Sequence, residues 1–261
     1  MCDLWQNTLA ETVPPGAIPG QIDYALEQMP EAKHLKLYNS GSFFDRRAIS
    51  TADYPAIAER AHRFDRIIVE SHPALVGPDC WRFRDLLSSG EKATKLEIAM
   101  GLETVNPEVL ERLNKRMTLD QFARAAELLR QNEIALRVFI LVKPPFLDEA
   151  EALHWAQRSL DFAFDCGASV ASLIPTRLGN GALESLAERG EFSPPRLATL
   201  EQASAYGIGL RRGRVFADLW DLERFSDCAD CFPDRVGRLR DMNFSQKVQP
   251  VIRCRTCGNG H

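Results

Sequence analysis

An α/β fold, specifically a partial (β/α)6 TIM-like barrel of parallel strands with a small Cys-rich C-terminal module, is predicted by three observations. Short β-rich runs alternate with helix-patterned stretches; polar or Gly/Pro-rich turns follow each run; and two CxxC pairs lie near the C-terminal end. Strands alternating with helices imply parallel pairing through right-handed crossovers. At 261 residues, 45% apolar and 26% charged, the chain can bury one large core and an appendage. No stretch approaches the ~18 apolar residues of a membrane span, and no N-terminal signal is visible. The sequence therefore predicts a cytoplasmic protein that makes no membrane contact.

The strands are expected at His34 to Tyr38, Arg66 to Glu70, Lys95 to Met100, Ile134 to Val142 and Ser169 to Ile174. Helical patterns fall at Ile22 to Met29, Ala52 to Phe64, Trp81 to Ser88, Pro107 to Leu113, Leu119 to Arg130 and Glu149 to Phe164. In the fifth of these, Leu119, Phe122, Ala126 and Leu129 recur at three- and four-residue steps, a core-facing stripe behind an N-cap at Thr118. Two domains are expected, a core over 1–210 and a module over 211–261.

The module is read from its cysteines and its charge. Two thiolates two residues apart grip one ion from a tight turn, and two such turns, Cys228/Cys231 and Cys254/Cys257, close a shell of four sulfurs. The 22 residues between the pairs approximate the zinc-ribbon spacing, so Zn2+ is expected, with an auxiliary iron-sulfur cluster as the alternative. Cys80 and Cys166 fit buried small residues. The net charge is −4, yet from Ala205 onward there are 10 Lys/Arg against 7 Asp/Glu. Arg211, Arg212, Arg214, Arg235, Arg238, Arg240, Arg253 and Arg255 could meet a polyanion, or simply form a solvated basic face. Trp220 is expected to staple the module to the barrel. Phe43, Phe44, Trp155, Phe162 and Phe164 read as core. The five histidines show no ligand spacing, and His72 reads as a hydrogen-bonding loop residue.

In a parallel barrel, chemistry gathers in the loops after the strands. Here these are YNSGSFFD from Tyr38, ESHP from Glu70, GLETVNPEVLERLNKRMT from Gly101, KPPF from Lys143 and PTRLGNGALE from Pro175. The first offers small residues and free backbone amides where a ligand must approach closely. Glu70 and Glu103 can accept hydrogen bonds from an ammonium or a ribose.

Taken in order, these loops resemble those of radical S-adenosylmethionine (SAM) enzymes. The segment from Gly101 looks like the fourth-strand motif of the subgroup that contains coproporphyrinogen dehydrogenase and the elongator acetyltransferase, with a methylthiotransferase-like core. The whole chain is most similar in character to the archaeosine synthase radical SAM subunit family and its bacterial relatives. The resemblance implies a [4Fe-4S] cluster held by three thiolates, with one iron open to SAM, and cleavage of SAM to a 5′-deoxyadenosyl radical. It assigns Cys2, in MCDLW, to the last cluster ligand. Asn39, Ser40, Gly41 and Ser42 would hold the SAM amino group. Glu70 would line the cofactor site, and Glu103 would take the Gln position that meets SAM. Lys115 stands where the subgroup has an arginine for the SAM carboxylate, a departure because lysine is a point charge without a fork; Arg116 is the alternative. The family's other two cluster cysteines would fall upstream of Met1, so the resemblance implies a barrel given without its first strand and a chain that is inactive as given. A tRNA nucleoside is the implied substrate, and a flavodoxin- or ferredoxin-type protein the reductant. Two other readings are a radical SAM enzyme acting on a small molecule or protein, and a catalytically inactive barrel serving as a zinc-ribbon nucleic-acid-binding module.

Overall fold

The computed structural model describes residues 11–39, 41–90, 92–179 and 181–258. Six strands form one sheet in the order β1-β2-β3-β4-β5-β6: His34–Leu37, Arg66–Glu70, Lys95–Glu103, Ala135–Val142, Val170–Pro175 and Arg214–Ala217. Sequence neighbours are spatial neighbours throughout, which is the topology of the expected partial (β/α)6 barrel. The five expected strands all form, and β6 is an addition. Among the described residues no helix is long and apolar enough to cross a membrane.

The described residues fall into two compact units. One holds the residues up to 101 together with 120–137. It contains the helices α1 (Ala17–Gln28), α2 (Tyr54–Ala61), α3 (Pro78–Ser88) and α5 (Leu119–Gln131). Along its strands the alternating side chains Leu35, Ile67, Val69, Leu96, Ile98 and Met100 are buried, as the period of two requires. The register aligns Lys36 with Ile68 and Ile68 with Glu97, placing these three on the opposite face. There Glu97, 2% exposed, accepts from Arg66 at 2.8 Å and Arg137 at 2.6 Å. An aromatic cluster anchors the loop after β1. Phe43 stacks on Tyr54 with centroids 5.7 Å apart and meets Phe83 at 4.8 Å.

The other unit, residues 102–119 and 138 onward, contains α4 (Pro107–Arg112), α6 (Glu149–Asp165), α7 (Ala182–Glu188), α8 (Leu197–Gly209) and α9 (Phe232–Ser245). Gly207 lets α8 lie close to β6: a Cβ there would stand 3.0 Å from both Leu160 and Val215. Among the described residues no strand lies beside the outer edge of β6. Instead Asn243 and Gln246 present their side-chain amides to it. Ala217 N–H donates to Asn243 Oδ1 at 2.9 Å while Asn243 Nδ2 donates back to Ala217 O at 2.8 Å. Gln246 makes the same reciprocal pair with Val215, at 2.8 and 3.0 Å. Each backbone group on an unpaired edge is costly if it finds no partner.

Candidate cofactor loops and a candidate metal centre

The loop after β1 is held by its buried Phe43 and by the loop after β2. Phe43 N–H donates to Glu70 O at 2.8 Å, and His72 N–H donates to Ser42 Oγ at 2.9 Å. His72 Nδ1 accepts from Ala74 N–H at 3.2 Å, the loop-building role expected for it. The structure thus brings Ser42 and Glu70 together within the first unit. Gly41 is exposed in the same loop, and Ser40 lies outside the described residues. Asn39 Oδ1 is buried without a hydrogen-bond partner among the described residues. An orphaned acceptor of this kind is rare in a folded protein, and a ligand donor would satisfy it.

In the second unit the loop after β3 is sharply folded. Glu103 has φ +65°, and Thr104 N–H donates to Leu102 O at 2.9 Å, a γ-turn of the rarer, strained form. Such strain persists where surrounding contacts enforce it and concentrates at ligand sites. Those contacts are Val105 N–H to Ser159 Oγ at 3.0 Å, Asn106 N–H to Thr104 Oγ1 at 3.1 Å, and the Asn106 side chain capping α4 through Val109 N–H at 3.0 Å. Asn114 and Arg116, both with φ +51°, kink the chain on either side of Lys115. Lys115 Nζ donates to Glu103 Oε1 at 2.5 Å, so these two sequence-predicted residues meet each other. Arg116 is exposed and makes no ion pair among the described residues. A matched ammonium and carboxylate can exchange partners with a zwitterion, the carboxylate taking an amino group and the ammonium a carboxylate.

The four C-terminal cysteines converge. Their sulfurs all lie within 4.8 Å of one another, with Cys228 to Cys254 and Cys231 to Cys257 both at 3.9 Å. Cys231 directly precedes α9, and burial together with the neighbouring thiols pushes its thiol up to about 12. The N–H groups of Cys257 and Thr256 pull the Cys254 thiol down to about 6. By contrast, burial pushes Cys80 up to about 12 and Cys166 up to about 11, consistent with packing roles. Cys2 lies outside the described residues.

Two expectations about the module need correction. Arg235 and Arg238 do not face solvent: they are 8% and 6% exposed and clamp Glu201, at 2.9 Å from Arg235 Nε and 3.2 Å from Arg238 Nη1. Their three-residue spacing puts both on the buried side of α9, where an inward carboxylate from α8 awaits them. Trp220 staples nothing, being 70% exposed. Sequence reasoning also missed Glu201, whose partners lie more than thirty residues away; a lone acidic residue in an apolar helix such as α8 is the available signal.

The sheet order defines the class first: a partial (β/α)6 barrel of parallel strands. In fold the chain is similar to the archaeal Methanocaldococcus infernus Elp3 with an N-terminal deletion, at TM-score 0.61 and 15% identity over 94% of this chain and 64% of that one. No known family profile matches the chain. In sequence it is 32% identical over 243 residues to archaeosine synthase subunit beta from Methanosarcina acetivorans, covering 84% of this chain and 65% of that protein. It is 29% identical over 191 residues to the Thermococcus kodakarensis subunit, covering 69% and 57% respectively. An uncharacterised Methanocaldococcus jannaschii protein is 28% identical over 208 residues, covering 76% and 56%. The named sequence relatives of the chain are archaeosine synthase beta subunits, and its fold is that of the archaeal Elp3. It spans 56% to 65% of the length of these curated relatives.

Proposed function

We propose that this chain is the SAM-binding part of a cytoplasmic radical enzyme that modifies a nucleoside in tRNA. The buried, partnerless Asn39 Oδ1 carries the cofactor assignment, because it offers an acceptor for the SAM amino group in the loop where the family holds that group. Ser42 and Gly41 complete the loop, and Glu70 lies beside it. The resemblance adds Glu103, Lys115 and Arg116 as residues that meet SAM, and Lys115 Nζ donates to Glu103 Oε1. When bound together, a reduced [4Fe-4S] cluster and SAM supply a 5′-deoxyadenosyl radical, with electrons from a flavodoxin- or ferredoxin-type protein. The names of the sequence relatives, archaeosine synthase beta subunits, support a nucleoside substrate, and the family resemblance supports tRNA as its carrier.

In this reading residues 1–210 carry the cofactor loops and 211–261 the metal centre. The centre suits a single zinc ion. Four thiolates ~2.3 Å from one zinc stand about 3.8 Å apart, which matches the 3.9 Å separations, whereas a four-iron cluster spreads its thiolates over different irons and hence wider.

Three measurements test the proposal. Calorimetric titration of SAM into the protein and into Asn39→Leu and Lys115→Met variants should show affinity falling by about tenfold in each, the loss of roughly one charge-assisted hydrogen bond; undiminished affinity in both overturns the site. Metal analysis should find one zinc per chain in the native protein and none in Cys228→Ser. Anaerobic reconstitution of the native full-length enzyme with a tRNA transcript should release 5′-deoxyadenosine, and its absence refutes the reaction class.

A further inference from the structure

Trp220 stands just past the C-terminal end of β6, and Arg177 two residues past the end of β5, the strand ends where parallel sheets bind ligands. The indole is 70% exposed, yet the backbone beneath it is fixed. Trp220 N–H donates to Asp218 Oδ1 at 3.0 Å, and Arg177 Nη2 donates both to Trp220 O at 3.1 Å and to Asp218 Oδ2 at 2.9 Å. Leu222 and Phe225 are buried immediately after it. The Arg177 guanidinium lies 4.9 Å from the indole centroid and 5.8 Å from that of Phe225. One ring face is therefore covered by a cation and the other is open to water. Arg177 Nε is buried without an acceptor among the described residues.

A large aromatic side chain held rigidly in solvent contributes little to folding, because its apolar surface stays wet. A rigid indole backed by a guanidinium is instead a surface on which a flat, electron-rich ring stacks. The same unit carries cations that can meet phosphates. Cys228 follows Phe225 by three residues and meets Cys254, which is flanked by Arg253 and Arg255. Both arginines are exposed and unpaired among the described residues. An open aromatic face on a unit that also bears unneutralised cations suits single-stranded nucleic acid, with stacking for the bases and charge for the phosphates.

We propose that Trp220, backed by Arg177, is a stacking platform for an unpaired purine base of the RNA substrate. The proposal rests on the tRNA reading above and adds the residue that receives a base outside the cofactor loops.

The test measures binding of the native protein, Trp220→Ala and Trp220→Phe to three probes: a tRNA transcript, a hexaribonucleotide of adenosine, and the same hexamer with abasic riboses. The native protein should prefer the adenosine hexamer over the abasic one by about tenfold, the size of one base-aromatic stack. Trp220→Ala should lose that preference while keeping its salt dependence, and Trp220→Phe should keep most of it. Equal native affinity for the adenosine and abasic hexamers overturns the platform, whether or not the alanine variant folds. So does an alanine variant that discriminates as the native protein does. Either result leaves the tRNA reading standing if the transcript still binds; native protein that binds none of the three probes removes both.

Discussion

Glu97 and Glu201 are built alike, each nearly sealed from solvent, at 2% and 5% exposure, and each gripped by two arginines. Their settings differ. Glu97 receives Arg66 from β2 and Arg137 from β4, so the two flanking strands supply its partners. Arg66 keeps 27% of its side chain in water, and Lys36 adds a third cation nearby, its ammonium pushed down by burial and then by the charge of Arg137. Glu201 receives both arginines from α9, with side chains 10% and 5% exposed. Arg238 then reaches on to the carbonyls of Gln249 and Pro250, at 3.1 and 2.9 Å, a few residues before Cys254. One clamp ties strands that already pair, whereas the other ties a helix and the returning chain to the thiols.

If that distinction is right, losing the Glu201 carboxylate costs most. Glu201→Gln leaves two dry guanidinium groups facing a neutral amide, a loss of about 3–5 kcal/mol. The melting midpoint should drop by roughly 6–20 °C for a chain of this size, with weaker zinc retention. Glu97→Gln should cost about 1–3 kcal/mol, since water can reach Arg66, and should leave zinc content untouched. A larger loss at Glu97 than at Glu201, or zinc release from Glu97→Gln, breaks the comparison. Arg66→Met removes only the half-wet arm, and denaturant titration should find no more than about 1 kcal/mol. The mildest probe is chemical. In chelator-treated protein at pH 7.5 the Cys254 thiol, held down to about 6, is mostly thiolate, whereas Cys80, pushed up to about 12, is not. Iodoacetamide should therefore label Cys254 rapidly and Cys80 hardly at all, as read by peptide mass spectrometry, and Glu201→Gln should label faster still at Cys257 as the segment loosens.

The pattern of what was legible in the sequence follows from these settings. Five strands announce themselves as short β-rich runs between helical patterns, and CxxC pairs state their chemistry through spacing. β6 is only four residues long and opens on the exposed Arg214, too short for a period to emerge. α8 carries Gly207 and Gly209 and is apolar on most sides, so no stripe marks it. α9 misleads, because its arginines look like a wet basic face until their distant carboxylate is known. At the cofactor loops the residue types are legible, but the pairing of Glu103 with Lys115 depends on three left-handed backbone positions that no periodicity encodes.

The amides of Asn243 and Gln246 have a further consequence. Together they act as a counterfeit seventh strand, one residue of α9 and the residue just past its end offering β6 the donors and acceptors that a neighbouring backbone would. The sheet is thereby finished on this side: an extended peptide seeking a template finds the rungs already occupied. Any assembly made from this side must therefore proceed through helix surfaces. Turning Gln246 into glutamate, which has no hydrogen to give the Val215 carbonyl, would reopen the ladder by one rung.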